Sequence, residues 1–168
     1  MGAWDRQLEE WIAGNRVHAF DPFVKALTFS ATYGIVWLVL AAVAAVLMRR
    51  PALFGVVLLA DGVAELSTDA IKAVTDRSRP VVDTIVATPS SSSFPSGHAA
   101  TSFACAIVVA AFLPRLRGAV FALAALVALS RLYVGVHFPT DVVAGAAWGA
   151  VVGASVLALV RRRDVAVG

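Results

Sequence analysis

An all-α bundle embedded in a membrane is the fold class this sequence predicts, on three observations. Of the 168 residues, 60% are hydrophobic and 15% charged, and the mean hydropathy is +0.82, outside the usual range of a soluble domain. Apolar stretches recur at close to the roughly 20 residues needed to cross about 30 Å of hydrocarbon. Arginines gather at the ends of those stretches, where membrane topology accounts for the formal charge of +3 better than nucleic-acid binding does. No Gly/Ser-rich or Pro-rich linker divides the chain, so one membrane-embedded domain, 1–168, is expected. Its parts are an interfacial helix within 1–25, a helical bundle over 26–160 and a basic cytoplasmic tail over 161–168.

The first segment, Trp4 to Asn15, places Trp4, Leu8, Trp11 and Ile12 on one helical stripe and Asp5, Arg6, Glu9 and Glu10 on the others. That pattern suits a helix lying in the membrane interface. A cleavable signal peptide is not expected, because a basic start, a short apolar core and a small-residue cleavage site are missing. Five spans follow, near Ala31–Met48, Ala52–Thr75, Ser96–Pro114, Ala119–Val136 and Thr140–Val160. The second carries Asp61, Glu65, Asp69 and Lys72 on one helical face, which must look into the bundle or at water. The expected role of Asp61, Glu65 and Asp69 is structural pairing with buried Arg or Lys, with cation binding as the alternative. Cys105, the only cysteine, cannot form an intrachain disulfide and reads as a packing residue. The last span carries Gly145, Gly149 and Gly153 at four-residue intervals, a stripe for close helix packing inside the bundle or, alternatively, for a homodimer.

If each span crosses once, Arg49 and Arg50, Arg115 and Arg117, and Arg161 to Arg163 fall on one side, which the positive-inside tendency makes cytoplasmic. The polar segments between spans two and three and between spans four and five then meet on the extracytoplasmic face, together with the amino-terminal helix.

Three constellations gather there. Lys72 ends span two and Arg79 follows in a polar loop that closes with the serine run Ser90 to Ser93; two such cations can straddle a phosphate. Pro95-Ser96-Gly97-His98 opens span three: Ser96 is a plausible N-cap, Gly97 leaves first-turn amides open to an anion, and His98 points at the same anion. Ser130 to Asp141 sets Arg131, His137 and Asp141 within about three helical turns. Arg131 would hold charge, His137 would attack or ligate, and Asp141 would fix the His tautomer. Taken singly, each has an ordinary alternative: lipid-headgroup contact, a capped helix, an interfacial loop.

The order KxxxxxxRP, PSGH and SRxxxxxHxxxD, here Lys72–Pro80, Pro95–His98 and Ser130–Asp141, resembles the type 2 phosphatidic acid phosphatase (PAP2) family, whose site is shared with vanadium-dependent haloperoxidases. The resemblance covers about residues 52–160 and implies a PAP2/haloperoxidase-like helical core. It further implies that His137 is a nucleophile forming a phosphohistidine, that Asp141 orients it, and that His98 is the general acid and then the base. Lys72, Arg79, Ser96, Gly97 and Arg131 would hold the phosphate, with no cofactor and no metal. The implied partner is the bilayer and a lipid phosphate within it. Undecaprenyl diphosphate is expected first, with phosphatidylglycerophosphate, phosphatidic acid, a lipid A phosphate or a polyprenyl-phosphate sugar phosphate as alternatives.

Overall fold

A computed structural model describes residues 2–167, with side chains through Arg162. Its helices are α1 (Ala3–Gly14), α2 (Asp21–Ser30), α3 (Ile35–Leu47), α4 (Pro51–Thr75), α5 (Gly97–Phe112), α6 (Arg117–Tyr133) and α7 (Pro139–Val167). Among the described residues there is no strand. Pro51 and Pro139 stand at first helical positions, where a missing N–H costs nothing and the fixed φ favours the turn. The tail expected over 161–168 continues α7 as far as Val167; Gly168 and the side chains from Arg163 onward lie outside the described residues.

Among the described residues three helices are long and apolar enough to cross a membrane: Pro51–Thr75, the stretch Pro114–Tyr133, and Pro139–Arg162. The expected first span, Ala31–Met48, is not one straight helix. A 3-10 turn at Thr32–Gly34 holds Tyr33 at φ 52° and Gly34 at φ 66°, and the segments His18–Ser30 and Thr32–Leu47 meet at a 66° bend. A fourth crossing therefore needs α2 and α3 together. Helix α5 has 16 residues, about 24 Å at 1.5 Å per residue, and runs through the middle of the bundle with ten of its residues from Gly97 to Val109 buried.

The core of the bundle is built from small residues. Ala41, Ala60, Ala64, Ala104, Ala106 and Ala124 are buried beside Trp37, Leu53, Val57 and Val108. Trp37 donates its indole N–H to Ser102 Oγ at 3.0 Å, so the one large polar-edged side chain of this core is satisfied. Large apolar side chains such as Val46, Leu47, Leu66 and Val143 face outward, the arrangement expected where the solvent is lipid.

The glycine stripe of α7 packs inside the chain. A Cβ on Gly145 would stand 2.4 Å from Ser96 O, one on Gly149 2.1 Å from Ala100 O, and one on Gly153 2.6 Å from Ala104 O. This face is occupied by α5, so the alternative of a homodimer through it is corrected: the surface is already used. Cys105 is buried as expected and lies 3.8 Å from Asp61.

Helix α1 turns two of its charged residues inward and leaves Arg6 and Glu10 exposed. Asp5 and Glu9 are 1% and 0% exposed, whereas Trp4 and Trp11 are 54% and 63% exposed. The apolar stripe read from the sequence is therefore largely the outer face, and Asp5 and Glu9 face the bundle.

Replacing Gly149 with Ala should force α5 and α7 apart and cost about 1–3 kcal/mol, the usual penalty of overpacking. Gly55→Ala, in α4 with nothing within 4 Å of the added methyl, should be neutral or stabilising by up to about 1 kcal/mol. Thermal melting of the two variants in the same detergent checks the contrast.

Candidate active site

The α4 C-terminus, the α5 N-terminus, the α6 C-terminus and the α7 N-terminus converge at one end of the bundle. They surround a cavity of about 680 Å³. Of the eight predicted site positions, Lys72, Arg79, Gly97, His98, Arg131 and His137 line it, joined by Glu65, Asp69, Ser91, Ser92 and Thr101. Asp141 lies behind His137. Ser96 is at the N-cap position of α5 but makes no capping bond with its side chain, and its buried hydroxyl has no hydrogen-bond partner. It is not among the residues lining the cavity.

His137 sits in the turn between α6 and α7. Gly135, two residues earlier, has φ 83°, and a Cβ there would meet Arg16 Nη2 at 2.9 Å and Asp83 O at 3.0 Å, so this turn needs glycine twice over. The ring is 3% exposed. Nδ1 faces Asp141 Oδ2 at 3.5 Å, ion-pair distance without the alignment of a closed hydrogen bond. Nε2 stands 3.3 Å from Arg79 Nη1. Arg79 can only donate, so the neutral ring carries its proton on Nδ1, toward the carboxylate, and leaves the Nε2 lone pair toward the cavity. Burial, reinforced by Arg131 and Arg79 and opposed by Asp141, pushes the imidazole down to about 4. The ring is therefore unprotonated at neutral pH.

Asp141 is fixed by its place in the helix. As the third residue of α7, its Oδ2 accepts the Phe138 backbone N–H at 2.9 Å, the half of a capping box in which an N3 carboxylate reaches back to the N-cap amide. Oδ1 accepts from Arg77 Nη1 at 2.5 Å. The carboxylate is fully buried.

Arg79 is held by the serine run. Its Nε donates to Ser91 O at 3.0 Å, its Nη2 to Ser91 Oγ and Ser92 O, both at 3.2 Å, and its Nη1 to Val136 O at 2.9 Å. The run also grips the neighbouring backbone, with Ser93 N–H donating to Arg77 O at 2.8 Å and Ser93 Oγ to Ser78 O at 3.1 Å. Across the cavity, Thr28 of α2 serves two residues. Its hydroxyl accepts from Arg131 Nη1, and its carbonyl lies 3.2 Å from His98 Nε2. Since a carbonyl only accepts, His98 carries a proton on Nε2.

The acidic face of α4 is not uniformly paired. Asp69 meets Lys72 Nζ at 3.4 Å, but among the described residues neither Asp61 nor Glu65 has a Lys or Arg within 4.0 Å. Asp61 lies deeper, accepting from Cys105 and packed on Gly34. Glu65 and Asp69 line the cavity itself. The expected pairing of all three carboxylates with buried cations is thus corrected to one, because only Asp69 is within a turn of a cation on its own helix.

Sequence reasoning missed Arg77, Thr28 and the serines. Arg77 stood inside the KxxxxxxRP spacing at a position the pattern leaves open, and Thr28 stood in a stretch with no motif.

A membrane bundle with a cationic, two-histidine cavity belongs to the phosphoric ester hydrolases when its relatives are considered. A PAP2 superfamily profile matches residues 51–164, two thirds of the chain, and the chain belongs to that family. Over 138 residues it is 37% identical to a decaprenylphosphoryl-5-phosphoribose phosphatase of Mycobacterium tuberculosis, covering 79% of this chain and 76% of that one. Among solved structures it is similar to a transmembrane PAP2-type phosphatidylglycerolphosphate phosphatase from Bacillus subtilis (TM-score 0.79, 25% identity, 95% of this chain and 86% of that one). It is also similar to LpxE of Aquifex aeolicus (TM-score 0.80, 25% identity, 93% and 96%).

Glu9 supplies a pH-dependent test of the α1 seat. It is wholly enclosed and neither of its oxygens has a partner. Burial, with Asp141 and Asp5 adding and Arg16 opposing, raises it from 4.5 to about 8. The folded state then binds the extra proton between those values, so stability should fall as pH rises from about 4.5 through about 8. Glu9→Gln should remove that part of the slope, measured as a smaller drop in melting temperature between pH 5.5 and 8.5 than wild type shows.

Proposed function

We propose that this chain is a lipid phosphatase that removes the phosphate of a sugar phosphate carried on a polyprenyl phosphate, through a phosphohistidine at His137. The observation that carries the reading is the His137 Nε2 lone pair facing a cavity walled by Lys72, Arg79 and Arg131, with Asp141 behind the opposite ring nitrogen. In the first step Nε2 attacks phosphorus in line, the P–N bond forms and the P–O ester bond breaks. His98, protonated on both ring nitrogens once the phosphate is bound, gives the proton not held by Thr28 to the leaving oxygen and returns to the neutral ring. In the second step His98 takes a proton from water, whose oxygen attacks phosphorus and releases His137. Lys72, Arg79, Arg131 and the Gly97 amide stabilise the three equatorial oxygens as charge redistributes. The unpartnered Ser96 hydroxyl, one residue before Gly97, is the remaining donor proposed for that shell.

Two features favour a sugar phosphate over the undecaprenyl diphosphate expected first. The mycobacterial relative is a phosphatase of a polyprenyl-linked phosphoribose. Glu65 and Asp69, which line the cavity, are suited to accept hydrogen bonds from sugar hydroxyls and would repel a second phosphate. The lipid tail would lie in an adjoining groove of about 610 Å³ between α2 and the 86–89 loop, lined by Phe29 and Val86 and shared with His98 and Arg131.

The same reading has the site on the extracytoplasmic side of the plasma membrane, which the positive-inside tendency supports because Arg49, Arg50, Arg115 and Arg117 stand at the opposite helix ends. The cations around the phosphate fill the electrostatic role that a metal ion would otherwise take.

The test is phosphate release by the purified protein from a panel: a decaprenyl-phosphate pentose phosphate, undecaprenyl diphosphate, phosphatidylglycerophosphate and phosphatidic acid. The pentose phosphate should be turned over fastest, EDTA should leave the rate unchanged, and His137→Ala should abolish it. Faster release from undecaprenyl diphosphate would reverse the substrate assignment.

A further inference from the structure

Beneath the nucleophile lies a second polar layer that the chemistry above does not use. Arg77 stands at its centre. Its Nη1 donates to Asp141 Oδ1 at 2.5 Å and to Thr140 Oγ1 at 2.8 Å, and its Nη2 donates to Asp5 Oδ2 at 2.5 Å. Asp5 also accepts from Thr140, through the backbone N–H at 3.1 Å and the hydroxyl at 2.6 Å. The guanidinium lies over the Phe138 ring, 4.7 Å from its centroid, with Phe94 at 5.9 Å. Thus α1, the loop after α4 and the first turn of α7 are joined around one cation.

This layer is partly open: Asp5, Arg77 and Thr140 line a pocket at the protein surface, and the Arg77 side chain stays 18% exposed. Burial would raise Asp5, but the bonds from Thr140 and Arg77 outweigh it and hold the carboxyl below its ordinary range. Two buried carboxylates, Asp5 and Asp141, therefore share a single guanidinium, and the trio carries a net charge of minus one. Arg79 meets part of that negative charge by attracting Asp141 from the cavity side, and the rest is unanswered within the layer. The positive charge that would answer it is one step away: when Nε2 bonds to phosphorus while Nδ1 keeps its proton, the His137 ring becomes a cation beside Asp141.

We propose that Asp5 is a positioning residue for the reaction. Acting through Arg77, it fixes the Asp141 carboxylate and keeps the layer anionic, so that the charge appearing on His137 is stabilised as the P–N bond forms. Asp5 and Arg77 exchange no proton in either step. An Arg77 without Asp5 would pair with Asp141 alone and neutralise it. In this arrangement α1 is part of the active centre: its inner face carries Asp5, and its outer face carries Trp4 and Trp11, exposed for the membrane surface. The inference rests on the assignment of His137 as nucleophile.

The experiment uses the full chain in detergent micelles, with dioctanoyl phosphatidic acid and a decaprenyl-phosphate pentose phosphate as probes. Asp5→Asn should lower kcat about tenfold or more, the scale of small misplacements at a reacting centre, with KM within about twofold of wild type. Asp5→Glu should recover part of the loss. Asp5→Asn combined with Arg77→Lys should be no slower than Arg77→Lys alone, because both act on one path. A kcat for Asp5→Asn within twofold of wild type, with His137→Ala inactive, overturns this inference and leaves the proposed function standing. So does a loss that Asp5→Glu does not relieve and that matches a loss of folded protein. Wild-type turnover in His137→Ala overturns the proposed function, and this inference with it.

Discussion

The carboxylate of Asp141, in the first turn of α7, meets three partners at once: the Phe138 amide at 2.9 Å, the Arg77 guanidinium at 2.5 Å and the His137 ring at 3.5 Å. One contact fixes it to its own helix, one to the segment after α4, and one to the turn after α6. Removing the carboxylate would leave a partly buried guanidinium with one partner fewer and a buried ring without its Nδ1 partner, the second of which costs most in a low-dielectric interior.

What lets those segments meet is the absence of side chains between α5 and α7. With Gly145, Gly149 and Gly153 against the Ser96, Ala100 and Ala104 carbonyls, the two helices lie nearly backbone to backbone. Lipid gives apolar side chains no reason to leave it, so close van der Waals packing, not hydrophobic burial, holds such a pair. The same approach lets Ser96 N–H donate to Asp141 O at 3.0 Å, which sets the start of α5, and with it Gly97 and His98, against the start of α7.

The bundle, its helix order and the group of cavity residues were legible in the sequence because hydropathy and fixed spacings survive without coordinates. Lys72, Arg79, His98, Arg131 and His137 stand in patterns whose spacing puts them at helix ends on one side of the span count. The residues that hold them did not stand in patterns. Ser91 and Ser92 act largely through backbone carbonyls, which any residue supplies, and Thr28 reaches across 103 positions to Arg131. Asp5 and Glu9 share the polar side of α1 with Arg6 and Glu10, and helical periodicity separates faces without saying which residues the protein covers. The bend at Tyr33 and Gly34 is invisible for a related reason: hydropathy does not register a left-handed turn, here packed at Gly34 against Asp61 of α4.

The central claim is that His137 Nε2 becomes covalently bonded to phosphorus. Rapid quenching of wild-type protein with a radiolabelled decaprenyl-phosphate pentose phosphate, followed by peptide mapping at alkaline pH, reads this directly. The account predicts an acid-labile, alkali-stable phosphoramidate confined to the peptide bearing His137 and missing in His137→Ala. A phosphoryl group on His98, or full turnover with no label on protein while His137→Ala stays active, would contradict it.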